Sequence, residues 1–422
     1  MNCTGDEVEE EYGSADLYLD LAVLLYEAGA TVQRVGDSVR WLAGQLGDEK
    51  IHISVGHEVI ELSVHHGDHT ETRLYVLRDP IKVNVSVLHQ ISGILHQIPS
   101  YHKNITLIRD SLTAVKTMPP AYPVPVILAG TGIACAAFGW LNHADIPALW
   151  VIFLSAVCAL SIRFRFGKEL NNLYLSTLVT ALSGGLCAAV LAPFSQTQTP
   201  QVALISSVLF LIPGAMLING GLDIIRDHTG CGIARLTSVF TQICIISGAL
   251  LIPLGMMAPA IQIPSQFDII TFIPTMSLAA GIAACGFGIL FNTPASVLTG
   301  CFVCSAVARF IRETGIYIGA DPFFSLFIGM SIATVIAAGI GRYARVPEVL
   351  LSVIAGIPMV PGLAMIQGLQ GLFTLAHGGT TQPDQILIYA LQQMLFAGVA
   401  ILALVGGIIF PIIIIARKKL RI

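Results

Sequence analysis

The sequence predicts a polytopic α-helical membrane protein, with about ten spans arranged as two inverted five-span repeats with broken helices. An N-terminal cytoplasmic α+β domain precedes them. Three observations lead there. The chain of 422 residues is 55% hydrophobic and 11% charged, with a mean hydropathy of +0.78, whereas soluble domains carry about 25% charged residues. The charge is unevenly placed: residues 1–122 hold 17 of the 26 acids and 9 of the 22 bases, and residues 123–416 hold 9 of each. One apolar but interrupted stretch also occurs twice. Residues 212–220 (IPGAMLING) and 357–368 (IPMVPGLAMIQG) align Pro213 with Pro361, Gly214 with Gly362 and Asn219 with Gln367, at a constant offset of 148. A second echo pairs residues 138–142 (FGWLN) with 287–292 (FGILFN), at an offset of 149 to 150.

Residues 1–13 form an acidic tail expected to lack structure. They contain no basic-then-apolar leader, so the head is expected to stay on the cytoplasmic side. A single amphipathic helix is predicted from Ser14 or Asp16 to Leu46. Leu17, Leu21, Leu24, Ala28, Val32, Val35, Val39, Leu42 and Leu46 recur in steps of three and four, the helical period. Gly47 and Asp48 end it. Residues 51–55, 59–65 and 70–77 alternate as strands, with a hairpin turn at 66–69. Helices are predicted at 83–98 and 105–115, and the Pro-rich residues 118–125 form the linker. The organisation is thus 1–122, a cytoplasmic α+β domain; 123–257, the first five-span repeat; and 258–422, the second.

The predicted spans are 123–141, 148–162, 172–192, 201–220, 236–257, 269–291, 294–311, 322–341, 347–371 and 385–416. With the head inside, the cytoplasmic connections hold Arg163, Arg165 and Lys168; Arg226 and Arg235; Arg342 and Arg345; and the basic tail 417–421. The external connections near 142–147, 193–200, 258–268 and 372–384 hold no Lys or Arg. Only the 309–321 connection, with Arg309 and Arg312, runs against the positive-inside rule. Both termini are therefore expected in the cytoplasm. Five spans per copy invert the second copy relative to the first. Inverted repeats with broken helices at matching positions point to a secondary transporter with its site near the bilayer midplane.

Proline breaks a helix interior but suits the first turn of a new one. Half-helices are therefore expected to start near Pro213 and Pro361. From Glu348 to Pro361 is about 20 Å of helix, and from Gln201 to Pro213 about 18 Å, so both breaks fall near the middle of a layer about 30 Å thick. Two positive helix ends converging there would suit a carboxylate. The candidate substrate-binding residues are Pro213, Gly214, Asn219, Pro361, Gly362 and Gln367, with the matched amides Gln242 and Gln392. The alternative role for the amides is interhelical hydrogen bonding, and for the Pro-Gly motifs a packing kink. Asn142 and Asn292 lie near span ends, where caps are expected. Asp223 and Glu348 are the proton-coupling candidates, because a carrier needs a group whose pKa shifts on burial; the alternative is an ion pair with Arg226 or Arg345. Arg34 is the gating candidate in the head, against a solvated-face reading.

Cys301 and Cys304 spell CxxC inside an apolar segment without a second pair, so packing is expected. His57, His65, His66 and His69 make a poor metal set, since strand alternation sends His65 and His66 to opposite faces. No metal or cofactor is expected. No phosphate loop or nucleophile–base pair stands out, so the chain does not read as an enzyme, and net charge −4 argues against nucleic acid.

The chain resembles the threonine/serine exporter family. Residues 25–38 (LYEAGATVQRVGDS) are similar to its opening helix, and residues 287–292 with 345–362 (RVPEVLLSVIAGIPMVPG) to its C-terminal module. The resemblance covers almost the whole chain and implies ten spans, a cytoplasmic head and export driven by the proton gradient. Split two-protein relatives resemble succinate exporters. The head here is shorter than in the largest members. The expected function is proton-coupled export of small carboxylate-bearing metabolites, threonine and serine foremost, across a bacterial inner membrane. The partners are the substrate, the proton gradient and the lipid bilayer, and an oligomer is compatible. The alternatives are a dicarboxylate exporter, a membrane receptor with a cytoplasmic signalling head, and a membrane-embedded hydrolase.

Overall fold

Contacts divide the chain of this computed structural model into two compact units, Met1–Val83 with Gln90–Pro119 and Asn84–His89 with Pro120–Ile422. The structure describes residues 13–48, 50–66, 69–77, 81–101, 104–167, 169–257, 269–344, 348–377 and 382–419. The acidic tail up to residue 12, the hairpin tip at 67–68 and the start of the second repeat at 258–268 lie outside the described residues.

In the first unit the long helix expected over 14–46 is two helices, α1 (Ser14–Glu27) and α2 (Val32–Leu46). The reason is local. Gly29 has φ +89°, a left-handed conformation that glycine adopts at little cost. Thr31 then caps α2, its side chain accepting from the Arg34 N–H. The apolar period continues through the interruption because α1 and α2 both turn apolar faces inward. Leu17, Tyr18, Leu21, Leu25 and Tyr26 of α1 and Val35, Val39 and Leu42 of α2 are fully buried. Strands β1 (Ile51–Val55), β2 (Val59–His66) and β3 (His69–Val76) form an antiparallel sheet in that order, Ile51 opposite Val64 and His66 opposite His69. Ile60, Leu62 and Val64 alternate onto its buried face, which packs on α1. Arg73 of β3 holds Asp16 of α1 at 2.7 Å. Helix α3 (Val85–Gln97) follows, its residues up to His89 counted with the second unit, and then α4 (Ile105–Lys116).

The second unit is a helical bundle. Its first half comprises α5 (Val124–Leu141), α6 (Ile146–Phe166), α7 (Leu173–Ser195), α8 (Pro200–Ser206), α9 (Gly214–Ile225) and α10 (Thr229–Gly255). Its second half comprises α11 (Ile269–Leu290), α12 (Ala295–Tyr317), α13 (Pro322–Ala344), α14 (Glu348–Gly356), α15 (Gly362–His377) and α16 (Pro383–Lys419). Eight of these helices are long and apolar enough to cross a membrane, or up to ten spans result if each bent pair counts as one. The chain is therefore a multi-pass membrane protein. The packing scheme of one half recurs in the other: α6 on α7 as α12 on α13, α7 on α10 as α13 on α16, α9 on α10 as α15 on α16. The halves also exchange partners, with α10 on α15 and α16 on α9.

Several predicted boundaries move, and two of the movements matter here. The seventh span continues to Tyr317 instead of ending at 311, so Arg309 and Arg312 lie within a helix and not in a connection. The fifth begins at Thr229 instead of 236, which takes Arg235 into α10. Cys301 and Cys304 are free and buried.

Candidate functional site

The two breaks are built alike. Residues Pro200–Leu211 meet α9 at 62°, and Val349–Met359 meet α15 at 49°. Each break has a short 3₁₀ turn, Leu209–Leu211 and Ile357–Met359. One extended residue follows, Ile212 (φ −67°, ψ 120°) or Val360 (φ −63°, ψ 128°), the conformation that a following proline imposes. Pro213 (φ −78°, ψ 65°) then forms an inverse γ-turn, closed by the Gly214 N–H on the Ile212 carbonyl at 2.8 Å; the Gly362 N–H closes on Val360 at the same distance. The Leu217 N–H bonds the Pro213 carbonyl and the Met365 N–H that of Pro361. The glycine amides are thus engaged. The first-turn N–H groups that lack an intrahelical acceptor are those of Ala215 and Met216 in α9, and Leu363 and Ala364 in α15.

The breaks also face each other reciprocally. A Cβ on Gly214 would meet Ile357 and Val360; a Cβ on Gly362 would meet Leu209 and Ile212. Those neighbours are themselves 148 residues apart. The second sequence echo behaves the same way: the Phe138 and Phe287 rings touch edge-on, 6.1 Å between centroids at 77°.

The remaining candidates separate. Asn219 is buried and Gln367 half-buried. Gln242 is buried, its amide 3.4 Å from the Ser238 carbonyl, whereas Gln392 is exposed, so the matched amides do not occupy matching environments. Asp223 is fully buried in an ion pair of 2.9 Å, and its partner is Arg235 of α10. Glu348 starts α14; its side chain lies outside the described residues. Arg34 donates to the Ser92 hydroxyl at 2.7 Å, within the first unit. Asn142 caps α5, donating to the Phe138 carbonyl, and the Asn292 side chain accepts from the Ala121 N–H.

A cavity of about 440 Å³ opens beside the second break, within the size range of small-molecule sites. Pro361 and Leu363 line it at the start of α15; Arg309, Arg312 and Glu313 of α12 line it opposite, with His143 near the end of α5. Arg309 Nε lies 2.8 Å from Glu313 Oε1, and Arg312 Nη1 lies 2.5 Å from the same oxygen. Arg309 also donates to the Leu141 carbonyl at 3.3 Å and is only 8% exposed. His143 sits in the left-handed region (φ 64°) and stacks on Phe272. Burial, then Arg309, holds its imidazole below the ordinary value. Ionisable groups inside a membrane bundle are functional candidates by default. Of the residues expected from sequence to bind, couple or gate, Pro361 lines this cavity; Asn142, the expected cap, lines it too.

Arg309, Arg312, Glu313 and His143 line this cavity, and no motif marks them. The available signal was the positive-inside violation at 309–312, together with Arg309 and Glu313 at helical i,i+4 spacing.

Two family models describing threonine/serine exporters match the chain, one over residues 16–257 and the other, "Threonine/Serine exporter, ThrE", over residues 276–414. The chain belongs to the threonine/serine exporter family. It carries both modules of this transporter family in one polypeptide. Among curated proteins it is similar to "Probable succinate transporter subunit YjjP" of Klebsiella aerogenes, 26% identical over 54% of this chain and 87% of that protein. The protein of the same description from Escherichia coli K12 is 22% identical over 54% of this chain and 89% of its own length. An uncharacterized protein of Haemophilus influenzae is 24% identical over 34% of this chain and 47% of its own. No solved structure matches.

Proposed function

We propose that this exporter-family member is a proton-coupled secondary exporter of small carboxylate-bearing metabolites, with threonine and serine as its first substrates. One observation carries this reading: two guanidinium groups and the start of the α15 half-helix face one cavity inside an apolar bundle. Partly desolvated cations and a positive helix end together favour a small anionic group. The carboxylate would find donors in Leu363 and Ala364, and in Ala215 and Met216 when the other break is presented. Gly214 and Gly362 contribute by letting the breaks approach.

The matched bond pattern at the two breaks and the exchanged helix partners support inverted repeats working by alternating access. The basic connections support cytoplasmic termini in a bacterial inner membrane. A reporter active only outside the cytoplasm, fused after Ile422, should be silent. Asn219, Gln367 and Gln242 are proposed to line the path around the breaks. Asp223 or Glu348 would relay protons between the central cavity and the other ends of the two broken spans, and Arg34 would couple the head to gating. Arg34→Ala should then impair export at equal membrane abundance.

A dicarboxylate exporter is the second reading. Two arginines on one cavity favour it, as does the description of the YjjP relatives. Inside-out vesicles given labelled threonine, serine and succinate, with and without a pH gradient, separate the two. Movement of none of the three would favour the receptor reading.

A further inference from the structure

Glu313 occupies a position that one class of small substrate can exploit. Its Oε1 is shared by Arg309 and Arg312. Arg309 is held a second time by the Leu141 carbonyl. The Arg312 side chain is the most exposed of the three, at 18% against 10% for Arg309 and Glu313, so it is the arm that can swing away. The other residues facing the cavity carry no charge: Pro361 and Leu363 at the break, Phe323 of α13 and Phe396 of α16 among them. The remaining titratable group on the cavity is His143, whose imidazole burial and then the neighbouring Arg309 hold below its ordinary value.

Opening a buried ion pair is costly when either charge is left alone. A ligand opens it readily only by replacing both partners. A zwitterion does this, and the net charge of the site is unchanged. A dicarboxylate replaces Glu313 on the arginines but leaves that carboxylate facing further negative charge, unless Glu313 is protonated.

Resting on the exporter reading above, we propose that Arg312 and Glu313 are the binding site for an α-amino acid zwitterion, and that the transported proton competes for Glu313. The substrate carboxylate takes the place of Glu313 on Arg312, and its ammonium takes the place of Arg312 on Glu313. A proton from water on one side of the membrane binds the Glu313 carboxylate, displaces the ammonium, and leaves to water on the other side. Exclusion of ammonium and proton from one carboxylate makes the coupling an exchange. A dicarboxylate would behave in the opposite sense, because a protonated Glu313 frees both guanidinium groups.

The test is isothermal titration of the whole purified chain in detergent with threonine, serine and succinate, over a pH series and in two buffers of different ionisation enthalpy. Threonine affinity should weaken about tenfold per pH unit once Glu313 is protonated, the linkage of one competing proton, and binding there should release protons. Glu313→Gln should bind threonine more weakly and without pH dependence, and Glu313→Asp should keep the dependence. Threonine binding by the wild-type chain that is flat with pH and releases no proton overturns the proposal without recourse to a variant. Succinate binding that tightens with acid, with no threonine binding, also overturns it and leaves the exporter reading standing. The exporter reading itself fails only if vesicles move none of the three solutes.

Discussion

Ile212 and Gly362 lock the two broken spans together: the Ile212 Cδ1 lies 2.7 Å from where a Cβ on Gly362 would stand. The reciprocal contact is looser, with Val360 Cγ2 3.5 Å from a Cβ on Gly214. The repeats match in sequence at these positions, but they do not match in space to the last ångström.

Gly362→Ala should therefore destabilise the purified chain by less than about 1 kcal/mol, because the atom it meets is the far end of the Ile212 side chain and can turn aside; the effect is read as a slightly lowered melting temperature in detergent. Gly214→Ala should be close to neutral. Shortening the neighbour in Gly362→Ala/Ile212→Val should recover part of the loss, a coupling that a double-mutant cycle measures. Equal effects of the two alanines would contradict the asymmetry.

Asp223 and Arg235 are buried together at 2.9 Å. Removing one partner of such a pair costs about 3–5 kcal/mol, because a charge is left uncompensated. Asp223→Asn and Arg235→Gln should each lower thermal stability and membrane abundance, and the double variant should recover much of both. If the double variant also keeps gradient-driven export, the pair is structural and the proton path lies elsewhere.

His143 gives a pH prediction. Its folded-state pKa is depressed, by burial first and Arg309 second. A depressed imidazole contributes stability above its unfolded value of about 6.5 that is lost as pH falls through the folded value. Melting temperatures should fall on acidification from about pH 7 to pH 5, and His143→Gln should remove that part of the fall. An unchanged slope in the variant would assign it to other groups.

Gln242 and Gln392 match in sequence but not in burial. Gln242→Leu should cost about 1 kcal/mol by deleting a buried hydrogen bond. Gln392→Leu should stay within about 0.5 kcal/mol, as surface substitutions do. Melting of the two purified variants checks both values.

Most of the architecture was legible because membrane spans are written in composition: a bilayer demands long apolar runs whatever surrounds them. The Pro-Gly breaks at 213–214 and 361–362 were legible because proline acts on its own backbone. The interruption at Gly29 was hidden, since the apolar period runs through it and only the positive φ and the Thr31 cap reveal two helices. The true partner of Asp223 was hidden as well, because Arg226 is nearer in sequence while Arg235 is brought to it by the packing of α9 on α10.

Hydropathy, charge placement and a repeated motif by themselves determined that this chain crosses a membrane many times, that it is interrupted at two matched points, and which family it resembles. These are local or periodic properties, and each is readable residue by residue. Only the tertiary structure decided which charges face a cavity. Arg309, Arg312 and Glu313 appear in the sequence as a connection that breaks a topology rule; packing of α12 against α14, with the Arg309 hydrogen bond to the Leu141 carbonyl at the end of α5, sets them on a cavity beside the second break instead. Burial and pairing depend on which helices meet, and no single segment carries that information.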